Sequence, residues 1–299
     1  MAGSQDYAAD PRNAKALIYV NGALVPREAA VVSIFDAGFT MGDGVWEGIR
    51  LHKGVLLFLD AHLDRLLAGA AAIGLQGLER AAVVQALHDT LAANAMTDGA
   101  HLRLMLTRGI KTTANQDPRN ALGPPTVVIT AEYKQPPAAV AQSGLALATV
   151  SVRCTPPSMF DMRLNSHSRL PLITALLEAI EKGADEAIML DPHGFVSTCN
   201  ATNFFFVVGG EVRTSRGQYC FNGITRGHVI DLCRRHDIPI RLGDFEPGFL
   251  DQASEAFVTG TSAGVLPVRA IDGRTLAATP GPLTLRLRTL YAELLDAQA

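Results

Sequence analysis

Val45-Trp46-Glu47-Gly48-Ile49-Arg50-Leu51 and Val55-Leu56-Leu57-Phe58, parted by Lys53-Gly54, read as two strands joined by a tight turn. Directly after them Asp60 can cap a helix whose Leu63, Leu66, Leu67 and Ala70 share one face. Strand, turn, strand and helix in one short stretch mark a chain that mixes sheet and helix, and the pattern repeats outward. Upstream, Ala16–Tyr19 and Ala23–Val25 flank Asn21-Gly22, a hairpin whose turn needs positive φ. Downstream, a helix is expected from about Glu79 to Ala95, with Val83, Leu87 and Leu91 on one side. Strands follow at Leu102–Leu106 and Thr126–Ala131, separated by the polar stretch Lys111–Pro125, which is long for a plain connector.

Tyr133 to Ser143 has no periodicity and contains Gln135-Pro136-Pro137, where proline blocks ladder bonds and favours extended backbone. The expectation is a smaller N-terminal α/β domain over 1–133, a linker over 134–143 and a larger C-terminal α/β domain over 144–299. The second half reads as strands at Leu145–Val152, Ala187–Leu190, Phe195–Ser197, Phe204–Val208 and Glu255–Thr259. Helices are expected at Leu170–Lys182, Thr225–His236 and Leu283–Leu295. The fold class is α/β in the broad, α+β sense, in two domains.

With 48% hydrophobic and 18% charged residues, the chain is neither disordered nor collagen-like nor a coiled coil. Twenty-six basic against 29 acidic side chains leave a net charge of −3, which gives no footprint for nucleic acid or anionic membrane. The opening MAGSQDYAAD shows no secretory signal, and no apolar run reaches the roughly 18–20 residues of a membrane span. Cys154, Cys199, Cys220 and Cys233 show no CxxC pairing and no histidine at zinc spacing, so free thiols in a cytoplasmic protein are expected, with no metal.

Three segments could receive a ligand. In Asn222-Gly223-Ile224-Thr225-Arg226 a turn opens a helix, whose exposed N–H groups and dipole favour an anion; the Thr225 hydroxyl adds a donor. Gly260-Thr261-Ser262-Ala263-Gly264 lets backbone approach a ligand closely. His62 and Arg65 share one helix face, and Arg65 can hold phosphate bidentately.

Phe35-Asp36-Ala37-Gly38-Phe39 with Gly42-Asp43-Gly44-Val45-Trp46-Glu47-Gly48-Ile49-Arg50 resembles the N-terminal signature of the class-IV aminotransferases. His62-Leu63-Asp64-Arg65-Leu66, Leu106-Thr107-Arg108-Gly109, Gly183-Ala184-Asp185-Glu186-Ala187, Asn203-Phe204-Phe205, Gly223-Ile224-Thr225-Arg226 and Gly260-Thr261-Ser262 follow in the family's order. The resemblance covers about residues 16–290. It implies the two-domain fold type IV of pyridoxal-phosphate enzymes, a homodimer, and a phosphate cup of Arg65, Gly223, Ile224, Thr225, Thr261 and Ser262. The family includes branched-chain and D-amino-acid aminotransferases and aminodeoxychorismate lyase.

Two positions depart from the pattern. The family's Schiff-base lysine falls at Asn165, in Asp161-Met162-Arg163-Leu164-Asn165-Ser166-His167, and an amide nitrogen is not nucleophilic. The lysines of the chain are Lys15, Lys53, Lys111, Lys134 and Lys182, all outside that segment. The family's glutamate opposite the pyridine nitrogen falls at Thr198, a hydroxyl that offers a pyridinium no charge partner. New polar groups stand nearby: Asn165, His167, Thr198, Cys199 and Asn200. His167 can act as acid or base, and Cys199 as a nucleophile if a cation lowers its pKa. Trp46, Arg108 and Arg119 are assigned to the substrate side, the arginines for a carboxylate. The expectation is lysine-independent chemistry on a small anionic or amino-acid-like substrate, with pyridoxal phosphate either non-covalent or absent. The alternatives are an ordinary aminotransferase or lyase of branched-chain or D-amino acids, and a non-catalytic binder of pyridoxal phosphate or another phosphate ligand.

Overall fold

The β-branched and leucine-rich runs of the first half form a six-stranded antiparallel sheet, in the order β2-β1-β6-β5-β3-β4. Its strands are β1 (Ile18–Val20), β2 (Ala23–Val25), β3 (Gly44–His52), β4 (Val55–Leu56), β5 (Ala100–Thr107) and β6 (Thr126–Tyr133). The structure is a computed structural model that describes residues 3–134 and 138–299. Strand β5 alternates strictly: Ala100, Leu102, Leu104 and Leu106 are buried, while His101, Arg103, Met105 and Thr107 are half-buried on the other face. In β3 the row Val45, Glu47, Ile49 and Leu51 faces the same core. Helices α1 (Ala37–Met41), α2 (Leu59–Ala72) and α3 (Arg80–Ala93) complete this unit, and Leu63, Leu66, Val83 and Leu87 fill its core. Each such side chain contributes about 1.5–3 kcal/mol by leaving water.

Asp60 does not cap α2. The residue before the helix is Phe58, at φ 53°, and Asp60 lies inside the first turn, paired with Arg80 at 2.7 Å. A carboxylate in the first turn still meets the positive end of the helix dipole, so the sequence signal was genuine but displaced.

By its packing, segment 164–169 belongs to this same unit, although it lies far along the chain. It runs antiparallel beside the start of β3: Trp46 N–H donates to the Asn165 carbonyl at 2.9 Å, and His167 N–H to that of Gly44 at 2.9 Å. Gly44 permits the fit. A Cβ there would overlap the Leu106 carbonyl and stand 2.7 Å from the His167 ring.

The other unit comprises residues 3–8, 138–163 and 170–297. It contains α4 (Ala138–Ser143), β7 (Leu145–Thr149), α5 (Leu170–Glu181), β8 (Glu186–Leu190), β9 (Val196–Cys199), β10 (Asn203–Val208) and β11 (Glu211–Ser215). After these come α6 (Ile224–Arg235), β12 (Ile240–Gly243), β13 (Glu255–Gly260), β14 (Gly264–Ile271), β15 (Arg274–Thr275) and α7 (Pro282–Asp296). The sheet is mixed, in the order β12-β11-β10-β13-β14-β7-β8-β9, with β15 on β14. Parallel pairing of β7 with β14 and β8 buries β8 throughout, which explains its unbroken Glu-Ala-Ile-Met-Leu run with only one charge. Phe205 stacks on Phe257 with ring centroids 4.9 Å apart. Buried Glu255 receives the N–H groups of Leu283 and Thr284 and so caps α7 across the sheet.

Strands β11, β12, β14 and β15 went unpredicted; of these, Glu211–Ser215 and Ile240–Gly243 are short and carry charges. Helix α4 occupies part of the stretch expected to be a linker, and Gln135-Pro136-Pro137 lie outside the described residues.

Gly44→Ala tests the docking of segment 164–169. The added methyl must push aside the β5 backbone on one side and the His167 ring on the other, and overpacking of this kind costs about 1–3 kcal/mol. The expected result is a lowered thermal midpoint with accelerated hydrogen exchange at the Trp46 and His167 amides.

Candidate functional site

Glu47 is the only acid in the inward row of β3, and it is 0% exposed. Helix α2 brings both of its partners. Arg65 donates from Nε and Nη2 to the two carboxylate oxygens, each at 2.7 Å, and His62 Nδ1 lies 2.7 Å from Oε2. Burial opposes the charge on Glu47, but hydrogen bonds from Arg65 and His62 outweigh it and hold the carboxyl below its usual range. Arg65 keeps its side chain one-fifth exposed.

On the opposite face of β3, Trp46 stands beside Gly48, which pairs with Arg103 of β5. Gly48 leaves room for the His101 ring, whose Nε2 would stand 2.8 Å from a Cβ there, and the Arg103 guanidinium lies over the indole, 3.8 Å from the ring centroid. The Arg169 guanidinium lies 5.4 Å from the same ring. Asn165 is engaged at both ends of its amide: Nδ2 donates to the Trp46 carbonyl, and Oδ1 accepts from Arg169 Nη2. His167 has a buried Nε2 that finds no hydrogen-bond partner among the described residues. Burial, then the charges of Arg103 and Arg169, lower its pKa to about 4 and keep the ring neutral.

The other two arginines proposed from the sequence are occupied. Arg108 grips Asp43 through Nε at 2.5 Å and Nη2 at 2.9 Å, and also donates to the Ile73 carbonyl. Arg119 is 87% exposed and pairs with Asp117, two residues back. The structure therefore brings Trp46, Asn165 and His167 together, with Arg65 on the reverse side of β3, and gives Arg108 and Arg119 structural partners.

Thr198 and Cys199 lie in the other unit, at the end of β9. The Thr198 hydroxyl donates to the Thr202 carbonyl at 2.9 Å and is approached by Asn203 Nδ2 at 3.3 Å. Burial pushes the Cys199 thiol well above its normal pKa, the reverse of an activated nucleophile. Asn200 holds the Ala187 N–H at 2.8 Å and is a strand-end clamp.

Asn203, which the sequence offered only as part of a motif with no role assigned, is a hydrogen-bonding hub. Its side chain donates to the Phe221 carbonyl at 2.7 Å and accepts the Gly223 N–H at 3.1 Å, fixing the turn that opens α6. A Cβ on Gly223 would lie 2.5 Å from Asn203 Oδ1, so glycine is needed for this approach. Helix α6 starts with no side-chain cap and no acid in its first turn. Thr225 is buried with its hydroxyl 3.2 Å from Tyr291. Thr261 and Ser262 form the half-buried turn between β13 and β14, and just before it Thr259 has a buried hydroxyl without a partner among the described residues. An asparagine heading the apolar run Phe204-Phe205-Phe206 was the available signal for the hub. For Glu47, the signal was an acid in an otherwise apolar inward row.

Residues 44–271 match the family described as amino-transferase class IV. Branched-chain-amino-acid aminotransferase-like protein 2 of Arabidopsis thaliana is 38% identical over 96% of this chain. The chain spans about half of that relative, 51% of its length. A putative branched-chain-amino-acid aminotransferase of Methanocaldococcus jannaschii is 35% identical over 93% of this chain and 96% of its own. A D-alanine aminotransferase of Listeria innocua is 32% identical over 92% and 95%. Among solved structures, the branched-chain aminotransferase of Thermoproteus uzoniensis with norvaline superposes with a TM-score of 0.84 at 28% identity, covering 94% of this chain and 95% of that one. A T.th. branched-chain amino acid aminotransferase with pyridoxamine 5'-phosphate gives 0.88 at 27%, covering 95% of each chain. With the family matched over most of its length and whole relatives covered almost end to end, this chain belongs to the class-IV aminotransferases.

Proposed function

We propose that the chain binds a phosphorylated ligand of the pyridoxal-phosphate type without a covalent link, and acts on a small anionic or amino-acid-like substrate by chemistry that needs no lysine. Asn165 carries this reading. At the position where the resemblance puts the reactive amine, an amide is tied to the Trp46 carbonyl at one end and to Arg169 at the other. It neither attacks a carbonyl nor accepts a proton readily.

For the phosphate end of such a ligand the resemblance implies a set of groups, of which Arg65 is one. The others are Gly223, Ile224 and Thr225 at the uncapped start of α6, with Thr261 and Ser262 beside the orphaned Thr259 hydroxyl. The ring end fits less well, because Thr198 is neutral and its hydroxyl proton is already given to Thr202. Pyridoxal phosphate, when bound, supplies an electron-withdrawing ring. His167 is neutral near pH 7 and offers Nε2 as a hydrogen-bonding group to substrate. Burial beside two guanidiniums disfavours the imidazolium, so it is a poor proton store. Cys199, with its thiol kept neutral, drops out of the reacting set.

The firmly held Asn165 also favours a second reading, in which the site binds a phosphate ligand and turns nothing over. The two are separated by assaying the purified protein for consumption of amino-acid and oxo-acid substrates with pyridoxal phosphate supplied.

The expected result with pyridoxal phosphate is a complex that dialyses apart, with no lysine adduct in peptide maps after borohydride. Branched-chain transamination should fall orders of magnitude below that of a family member bearing both groups, since each lost acid–base group costs about 10²–10⁴-fold. Asn165→Lys with Thr198→Glu should restore a reducible chromophore, more so when Arg169→Met removes the cation beside the new amine. A reducible lysine in the unmodified chain would return it to the ordinary aminotransferases.

Phosphate binding is tested by calorimetry with inorganic phosphate. Arg65→Ala is made together with Glu47→Gln, so that no buried carboxylate is left alone. Affinity should drop at least a few-fold, because charge-assisted hydrogen bonds are worth roughly 1.5–3 kcal/mol. Unchanged affinity would remove Arg65 from the site.

We further propose a homodimer in the cytoplasm. Leu170, Ile173, Leu177 and Ile180 form one stripe along α5 and are 71%, 53%, 57% and 46% exposed, an apolar face suited to a second copy. The four cysteines are buried and free, in keeping with a reducing compartment. Sedimentation should show a dimer at micromolar concentration, shifted toward monomer by Leu177→Glu. A monomeric unmodified chain would overturn the assembly.

A further inference from the structure

We infer that residues 3–8 form a strap whose Ser4 docks on the buried acid Glu186, and that Glu186 is thereby a positioning residue for the turns proposed to hold phosphate. This role deepens the proposed phosphate site and rests on it, but the coupling is measured without ligand. Every residue concerned lies in one unit.

A chain terminus stays ordered only where something ties it down. Here Gly3 and Asp6 close a turn on each other: Asp6 N–H donates to the Gly3 carbonyl at 3.1 Å, and Gly3 N–H to the Asp6 carboxylate at 2.9 Å. Residues 5–8 are exposed, whereas Ser4 is only 3% exposed. Its N–H reaches Glu186 Oε1 at 3.2 Å, and its hydroxyl donates to the same oxygen. Glu186 heads β8 and is itself 2% exposed, and among the described residues no cation pairs with it. The neighbouring Asp185 takes Arg269 instead, at 3.1 Å. Burial pushes the Glu186 carboxyl up, against the hydrogen bonds from Ser4 and Thr202. Three neutral donors thus serve this acid, and Ser4 supplies two of them. With the strap released, water must enter to serve the carboxyl in its place.

The third donor carries the effect inward. Thr202 forms the corner between β9 and β10, and its hydroxyl donates to Glu186 Oε2 at 2.8 Å. Its carbonyl accepts the Cys199 N–H at 3.0 Å and the Thr198 hydroxyl at 2.9 Å. Thr198 Oγ1 is approached by Asn203 Nδ2 at 3.3 Å, and Asn203 Oδ1 holds the Gly223 N–H at 3.1 Å. Hydrogen bonds therefore run from Ser4 through Glu186, Thr202, Thr198 and Asn203 to Gly223, where α6 opens. The Thr202 methyl also faces Gly260, 3.6 Å from where a Cβ would stand, just before the Thr261-Ser262 turn. One corner residue thus supports both turns proposed for phosphate. A docked strap fixes that corner, and a released strap hydrates Glu186 and frees the Thr202 hydroxyl. By linkage, phosphate at those turns must favour the docked strap by the same factor that docking favours phosphate.

Amide hydrogen exchange on the full-length protein tests the coupling. Ser4→Asp sets a like charge against Glu186 from a terminal segment outside both sheets. Exchange should quicken about tenfold or more at residues 3–8, at 198–203 and at Gly223, the scale of lost charge-assisted hydrogen bonds, while β5 and β6 amides hold their rates. Ser4→Ala should do less, and Glu186→Gln, which keeps an acceptor for Ser4, should keep both strap and turn protected. Thr202→Val removes the linking hydroxyl at constant shape. In that background the strap should stay docked, and adding Ser4→Asp should change Gly223 exchange no further. Faster exchange confined to residues 3–8, or an undiminished effect of Ser4→Asp at Gly223 in the Thr202→Val chain, would overturn the coupling. Calorimetry with inorganic phosphate then reads the positioning role: affinity should fall several-fold in Ser4→Asp, and saturating phosphate should slow exchange at residues 3–8. Equal affinity in the two chains would overturn that role. If the unmodified chain takes up no phosphate, the phosphate reading falls, and the exchange pattern still decides whether the strap holds the α6 turn.

Discussion

The buried carboxylate of Glu47 organises the N-terminal unit around itself. An ionised group with no exposure is tolerated only when its charge and lone pairs are met, and here a bidentate guanidinium and an imidazole meet them. Both partners come from α2, three residues apart, so the helix can dock on the sheet in one rotation only. Breaking one partner of such a cluster costs about 3–5 kcal/mol, more than any single leucine in the surrounding core contributes. The same network orients Arg65, so an interaction that fixes packing also fixes a cation proposed to meet phosphate.

A second constraint follows from strand period. Because side chains alternate along β3, placing Glu47 in the core row sends Trp46 and Gly48 to the reverse face, opposite Arg103 and beside segment 164–169. A one-residue slip would bury the indole and expose the carboxylate. Gly44 closes the arrangement at the strand's start, where only a hydrogen fits between Leu106 and His167. Register, helix docking and the position of Asn165 are thus one decision.

Much of this was legible in the sequence, for identifiable reasons. Strong period-2 and period-3.6 patterns revealed β3, β5, α2 and α3, because each has one buried face. The weak elements escaped: β11 and β12 pair at the sheet's far end and carry charged side chains, so their alternation is masked. Site chemistry was legible by residue type but not by partner. Arginine at 108 and 119 reads the same as arginine at 103 and 169, and only the fold reveals that Asp43 and Asp117 occupy the first two. Likewise Cys199 reads as a thiol of open character until burial decides against its thiolate.

The identities of residues 165 and 169 are coupled, which bears on how the family's chemistry could have been exchanged. The Asn165 amide presents an oxygen to Arg169 and an N–H to the Trp46 carbonyl, satisfying one acceptor and one donor at once. A lysine in its place would offer three donors and no acceptor. It would stand as a cation against a guanidinium already made unfavourable by burial and by Arg103. Amine and guanidinium therefore compete for the same few ångströms. Of the two, an arginine at 169 is served by an acceptor at 165, and asparagine is a compact side chain that supplies one while still holding the β3 backbone. On the proposed reading, a hydrogen-bonded amide and guanidinium stand where the family carries its reactive amine, and lysine-dependent chemistry is lost with it.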